Sequence, residues 1–253
     1  MEEQNDMELE TSFIETEIKQ LWEYNNENIK VLMEYLQEAK AKKEPEHVID
    51  CFTALINFYA INKEYIETIH SLQIDQLEAS KQKLHLSHRV VIQTSSLFYS
   101  VISQIEYEMK KIIKEVEFHP LADCQFDKNK MLREEFNKVY NDLDPDSKQK
   151  LKKVRKMIKR LPKSDSLRSI LDYSKSRNLI TESDYSMWLF ILEVRNISVH
   201  NNRIGNKNMQ IDINHHNYKI EKDKMLYGPL KFYLVMSNQA IVLFNNWYKS
   251  TCE

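Results

Sequence analysis

Tyr185-Ser-Met-Trp-Leu-Phe-Ile-Leu-Glu-Val-Arg195-Asn-Ile-Ser-Val-His200 is the stretch whose reading decides the fold. From Met187 to Leu192 it is apolar nearly all round, the pattern of a helix buried on every side rather than along one stripe. It closes in Arg195, Asn196 and His200. Such groups are costly to bury unless paired or put to use. Arginine is a fixed cation whose planar fork of donors grips phosphate, and histidine moves a proton near neutral pH. Together they suit phosphate chemistry with no metal ligand required. Asn196 and His200 stand four apart and share a helical face, whereas Arg195 and His200 stand five apart and do not. Those two converge only if the helix unwinds near His200 or Arg195 reaches around. Asn201-Asn202 favours such an end, because Asn tolerates left-handed backbone. The structural alternative is a helix-end arginine satisfying carbonyls and a histidine near the C-terminal dipole.

Working outward, the 253 residues contain two glycines, Gly205 and Gly228, and five prolines. Strands and tight turns call for more punctuation than that, so an all-α protein is expected. Glycine-rich phosphate loops are absent, which excludes dinucleotide-binding and P-loop enzymes. Residues 8–40 read as an amphipathic helix on Ile14, Ile18, Leu21, Ile29, Leu32, Met33 and Leu36. Pro45 suits the first turn of a second helix, running from Val48 through Tyr59 and onward with a kink towards Leu77. A third spans 86–117 and ends at His119-Pro120. Residues 120–147 read as a loop with a short helix around Leu132–Val139. Asp146 or Ser147 is expected to cap a basic helix over 148–161. Ser164–Ser166 precede another helix. Asn178–Thr181 form a turn, and Thr181 with Asp184 resembles a weaker capping box for the decisive helix. Met209, Ile211 and Ile213 alternate with polar residues, as do Tyr218 and Ile220, which predicts a small hairpin across 208–227. Gly228-Pro229 breaks it, and a last apolar helix runs from Leu230 to about Trp247.

The formal net charge of −2 hides an uneven distribution. Residues 1–18 carry seven acidic groups and no Lys or Arg, while residues 148–163 carry nine basic groups and no Asp or Glu. The basic block can attract a polyanion, although a solvated helix face is the plainer reading. Cys51, Cys124 and Cys252 are scattered, without a CxxC or Cys/His cluster, so no zinc site is expected and a reducing, cytoplasmic location fits. No segment approaches a membrane span, and the acidic N-terminus is unlike a secretory signal.

The sequence Ser166-Leu-Arg-Ser-Ile-Leu-Asp-Tyr-Ser-Lys-Ser-Arg-Asn-Leu-Ile-Thr-Glu-Ser-Asp-Tyr185, followed by Glu193-Val-Arg-Asn-Ile-Ser-Val-His200, resembles a HEPN domain. That family carries an Arg, four to six residues, then His, with a polar residue after the Arg. Arg195, Asn196 and His200 match it, and helix 86–117 resembles the family's first long helix. The likeness covers about residues 86–250. It implies a HEPN-like helical bundle over 83–253, with residues 1–82 as an N-terminal helical extension. It also implies a homodimer with facing motifs and a metal-independent, cofactor-free endoribonuclease. The RNA 2′-hydroxyl would attack the adjacent phosphate, with Arg195 holding that phosphate, His200 moving a proton and Asn196 orienting a group. Lys152, Lys153, Arg155, Lys156, Lys159 and Arg160 would add sequence-independent RNA contacts. Some toxins of the family carry a Tyr two residues after the His; here Asn202 stands there, which argues against regulation through that residue.

The expected function is therefore a toxin or antiviral defence effector that cuts RNA, partnered by an antitoxin or regulatory protein. The alternative is a non-catalytic helical module for dimerisation, partner binding or nucleotide sensing. The acidic extension could restrain the RNA site, in which case deleting 1–82 raises cleavage. His215-His216 reads as a turn rather than a metal site, since adjacent strand residues point to opposite faces. Trp188, Trp247 and the Tyr/Phe stripe of helix 86–117 read as core, and the methionines as gap fillers.

Overall fold

The computed structural model describes residues 2–71, 79–116, 126–151, 166–200, 204–226 and 228–252. Among these, eight helices and one two-stranded antiparallel sheet account for the chain, so the mainly helical expectation and the small hairpin before the last helix both hold. The helices are α1 (Glu2–Lys42), α2 (Glu46–Ser71), α3 (Ala79–Val116), α4 (Phe126–Asp142), α5 (Pro145–Lys150), α6 (Leu167–Ser176), α7 (Glu182–His200) and α8 (Phe232–Cys252). The strands are β1 (Met209–Ile213) and β2 (His216–Ile220). Two compact units emerge. One joins Met1–Ile105 to Val194–Val242; the other joins Glu106–Glu193 to Leu243–Glu253.

In the first unit, the buried positions of α1 are Ile18, Leu21, Asn25, Asn28, Leu32 and Ala39. Those of α2 include Val48, Phe52, Leu55, Tyr59, Asn62, Ile66 and Ile69. Both series step by three and four, apart from one step of seven between Leu32 and Ala39, an average spacing of about 3.5 residues per seam position, which is the period of a coiled-coil seam. The helices pack antiparallel: Trp22 donates to Glu67 at 3.3 Å, and the Tyr35 and Phe52 rings lie 5.9 Å apart. The apolar spacing had pointed to Ile29, Met33 and Leu36; in the fold Met33 is 48% exposed, and Asn25 and Asn28 occupy the seam instead. Asn25 Nδ2 donates to the Tyr59 carbonyl at 2.9 Å, and Asn62 Nδ2 donates to Asn25 Oδ1 at 2.8 Å. These bonds let Asn25 and Asn62 sit where a core residue is expected.

Lys43 ends α1 with a positive φ of 56°, and Glu44 N–H reaches back to the Ala39 carbonyl at 2.9 Å. This six-to-one bond satisfies a carbonyl the helix end would otherwise orphan. Asn178 closes α6 in the second unit the same way, with φ 61° and a Leu179-to-Ser174 bond of 3.0 Å.

The hairpin pairs Met209 with Ile220, Ile211 with Tyr218 and Ile213 with His216. Its burial alternates as expected, with Ile213, Tyr218 and Ile220 buried and Gln210 and Asp212 exposed. Asn214 and His215 both take positive φ (49° and 65°), as a two-residue turn matched to strand twist requires. Both glycines flank this hairpin, and neither has a positive φ. Their need is space: a Cβ on Gly205 would run into the Glu221 carbonyl, and one on Gly228 would sit 2.8 Å from the Phe232 ring.

The second unit is built on aromatic packing. Trp188, Phe190, Phe244 and Trp247 are fully buried. Trp247 donates its indole N–H to Ser174 at 2.9 Å, and the Phe244 ring stacks on it at 6.2 Å. Ser166 caps α6 by accepting from Ser169 N–H at 3.3 Å. The 126–142 helix is longer than the short one expected around Leu132–Val139, because no glycine or proline interrupts that span. The cap expected at Asp146 or Ser147 is instead Asp144, which accepts from both of their N–H groups at 3.0 Å. Pro145 occupies the first turn, where its missing N–H costs nothing, and so shifts the start upstream. The Ser147 contacts hold the Asp144 carboxyl below its usual range. Trp188, Trp247 and Phe98 are core as expected, but Tyr107 of α3 is 57% exposed. Met109 and Met236 fill core gaps, whereas Met33 and Met225 are exposed.

Candidate functional site

The decisive helix begins where the sequence placed it. Thr181 Oγ1 accepts from Asp184 N–H at 3.0 Å, and Glu182 and Asp184 put negative charge on the first turn. Before it enters the helix core, α7 is clasped to α6 on the surface. Arg168 donates to Asp172 at 2.9 Å and to the Tyr185 hydroxyl at 3.0 Å, and that hydroxyl donates to Asp172 at 2.5 Å. Lys175 pairs with Glu182 at 2.7 Å and lies 4.2 Å from the Tyr185 ring centroid. Burial, then the Asp172 hydrogen bond, raises the Tyr185 phenol above its ordinary value.

At the other end of α7, Val194 and Ile197 are fully buried, three apart on one face. Ser198 meets the Tyr233 hydroxyl at 3.2 Å, and the Tyr233 ring packs 5.7 Å from Phe98. This contact joins residues 35 apart in the chain, so no local pattern announces it. Between these anchors, Arg195 is half-buried and Asn196 is exposed. Arg195 and Asn196 thus sit away from the face that Val194 and Ile197 fix by packing.

The helix stays regular through His200, whose side chain lies outside the described residues. Five residues at about 100° each leave Arg195 and His200 roughly 140° apart around the axis. Within the described helix the two positions therefore share no face. Asn201 and Asn202 lie outside the described residues, as do Lys152, Lys153, Arg155, Lys156, Lys159 and Arg160. Of the basic block, Lys148 is described, and its ammonium donates to the Asn141 carbonyl at 3.1 Å.

Among the described residues no three His, Cys, Asp or Glu groups gather as a metal site. His215 is a turn residue and His216 opens β2. Cys51 is buried, Cys252 is exposed, and Cys124 lies outside the described residues. No described helix is long and apolar enough to cross a membrane. No protein-family model, curated protein or solved structure matches the chain.

Proposed function

We propose that the chain is a metal-independent endoribonuclease of HEPN type, acting in the cytoplasm as a toxin or antiviral effector. The observation that supports this most is the presentation of the motif: buried Val194 and Ile197 fix the helix while half-buried Arg195 and exposed Asn196 face outward. A rigid element of this kind holds catalytic groups better than a loop does. In this reading the RNA 2′-oxygen bonds to the adjacent phosphorus as the bond to the 5′-oxygen breaks. The 2′-hydroxyl gives up its proton and the leaving 5′-oxygen gains one, with His200 as the shuttle. Arg195 offsets charge growing on the phosphoryl oxygens, and Asn196 orients the RNA or one of these groups. Because positions 195 and 200 lie on different faces of a regular helix, two motifs facing each other in a homodimer would complete the pair around one phosphate. An antitoxin or regulatory protein would hold the activity in check.

The unbroken helix through His200 also favours a second reading, a non-catalytic module for dimerisation, partner binding or nucleotide sensing. Total RNA and purified tRNA incubated in EDTA separate the two. Wild type should leave cyclic phosphate ends, and Arg195→Ala and His200→Ala should each lose at least about a hundredfold in rate. Equal cutting by wild type and both variants would rule the mechanism out. Deleting residues 1–82 is a poor probe of restraint by the acidic helices, because it strips away Gln20 and Tyr24, which hold Lys231.

A further inference from the structure

A groove of about 980 Å³ lies in the first unit between α1, the hairpin and the start of α8. Buried Tyr218 and Phe232 form its apolar wall, with ring centroids 5.6 Å apart. The exposed imidazole of His216 stands 6.4 Å from the Tyr218 ring. Lys219, Lys224 and Lys231 line the same groove, together with Glu17 and Glu221.

The lysines are not equivalent. Lys224 is neutralised by Glu221 at 2.6 Å, a contact that also holds the Glu221 carboxyl below its usual range. Lys231 has different partners: its ammonium donates to the Gln20 side-chain carbonyl at 2.8 Å and lies 5.4 Å from the Tyr24 ring centroid. Both partners are neutral, so Lys231 is held in place without an ion pair within 4 Å to a carboxylate among the described residues. Lys219 adds a second cation from β2, partly offset by the Glu221 carboxylate that it also helps to hold below its usual range. An ammonium fixed by neutral partners, in a groove that also holds aromatic rings, suits a ligand with a phosphate and a planar base. Glu17 offers an acceptor for a sugar hydroxyl or base amino group.

The groove also adjoins the motif helix along the chain. Phe232 of its wall precedes Tyr233, which touches Ser198. Met225 of its rim bridges to Ile204, four residues past His200. We infer that this groove binds a nucleotide unit, its phosphate on Lys219 and Lys231 and its base against His216 and Tyr218. Taking that unit from an RNA strand rests on the ribonuclease reading; a free nucleotide does not.

The test is fluorescence anisotropy of the full chain with a labelled, 2′-O-methylated single-stranded oligonucleotide, which 2′-hydroxyl attack cannot cut. Lys219→Glu and Lys231→Met should each weaken binding about tenfold and lower the salt slope by roughly one. Lys40→Glu, remote from the groove on α1 and exposed, should change it less than about twofold. Displacement of the probe by a free mononucleotide identifies a nucleotide pocket, and displacement by unlabelled strand alone identifies a strand track; either supports the inference. No binding by wild type overturns it, as does wild-type affinity in Lys219→Glu, or an equal loss in Lys40→Glu. Groove binding without any RNA cleavage would sink the ribonuclease reading and leave this site standing. Cleavage with unaltered binding in the groove variants would do the reverse.

Discussion

The two units close their interiors by different means. The seam between α1 and α2 places Asn25, Asn28 and Asn62 among its core positions, beside Tyr59. The second unit uses Trp188, Phe190, Phe244 and Trp247, with one indole tied to Ser174. The aromatic interior gains mainly from area removed from water, which is large and tolerant of small shifts. An amide seam gains little from burial and depends on geometry, because an amide left unpaired is costly. It also fixes how two long helices line up, since a shifted register would bury unpaired amides, as polar seam residues do in coiled coils. The difference teaches that long helices of similar appearance can be held by bulk in one place and by register in another.

The largest effect should come from the aromatic side. Trp247→Ala removes the ring that stacks with Phe244 and leaves the Ser174 hydroxyl behind, and it should cost about 3–5 kcal/mol in chemical denaturation. A loss below about 1 kcal/mol would mean the second unit does not rest on that ring.

On the amide side the sign depends on the residue. Asn25→Leu strands the Asn62 donor and should cost about 1–3 kcal/mol. Asn28 has no hydrogen-bond partner for either amide atom among the described residues. Asn28→Leu should therefore be neutral or stabilising. Equal destabilisation by both would show that Asn28 is satisfied by buried water, and the contrast between the two positions would collapse.

A pH titration sharpens the same contrast. The Tyr59 hydroxyl is fully buried near Ser237 but outside hydrogen-bonding geometry, and burial pushes its phenol well above the ordinary value. Below about pH 10 both folded and unfolded chains carry the proton, and the stability is intact. Above that value the unfolded chain loses the proton first, so stability should fall by about 1.4 kcal/mol per pH unit from this group. Tyr59→Phe should flatten that alkaline limb while leaving neutral stability unchanged or slightly higher. An unchanged alkaline slope in the variant would place the effect elsewhere.

Much of the fold was legible because its signals are local. Thr181 caps α7 three residues from Asp184, and the alternation of Met209, Ile211 and Ile213 reads directly as strand. The all-round apolar run at Met187–Leu192 foretold a buried helix, and Trp188, Phe190, Ile191 and Leu192 are buried. The motif's backbone setting was half legible. Its spacing showed that Arg195 and His200 share no face; the helix is described as far as His200, and Asn201-Asn202, read as favouring its end, lie outside the described residues. The groove gave no advance signal, since Gln20, Tyr218 and Lys231 are scattered over some two hundred residues and meet only in the folded unit.

Among the described residues, sequence by itself determined most of the helical segments, where the hairpin lies, and that an Arg-Asn/His motif ends a helix with a buried apolar run. Those features follow from periodicity and capping within a few residues. Tertiary structure decided that Asn25 and Asn28 point inward, that Asp144 and Pro145 start α5, and that both glycines serve close approach rather than left-handed backbone. Each depends on what lies opposite: Asn25 meets the Tyr59 carbonyl, Asn28 is enclosed by the neighbouring helix without such a partner, and a glycine is required only where another atom occupies the place of its Cβ.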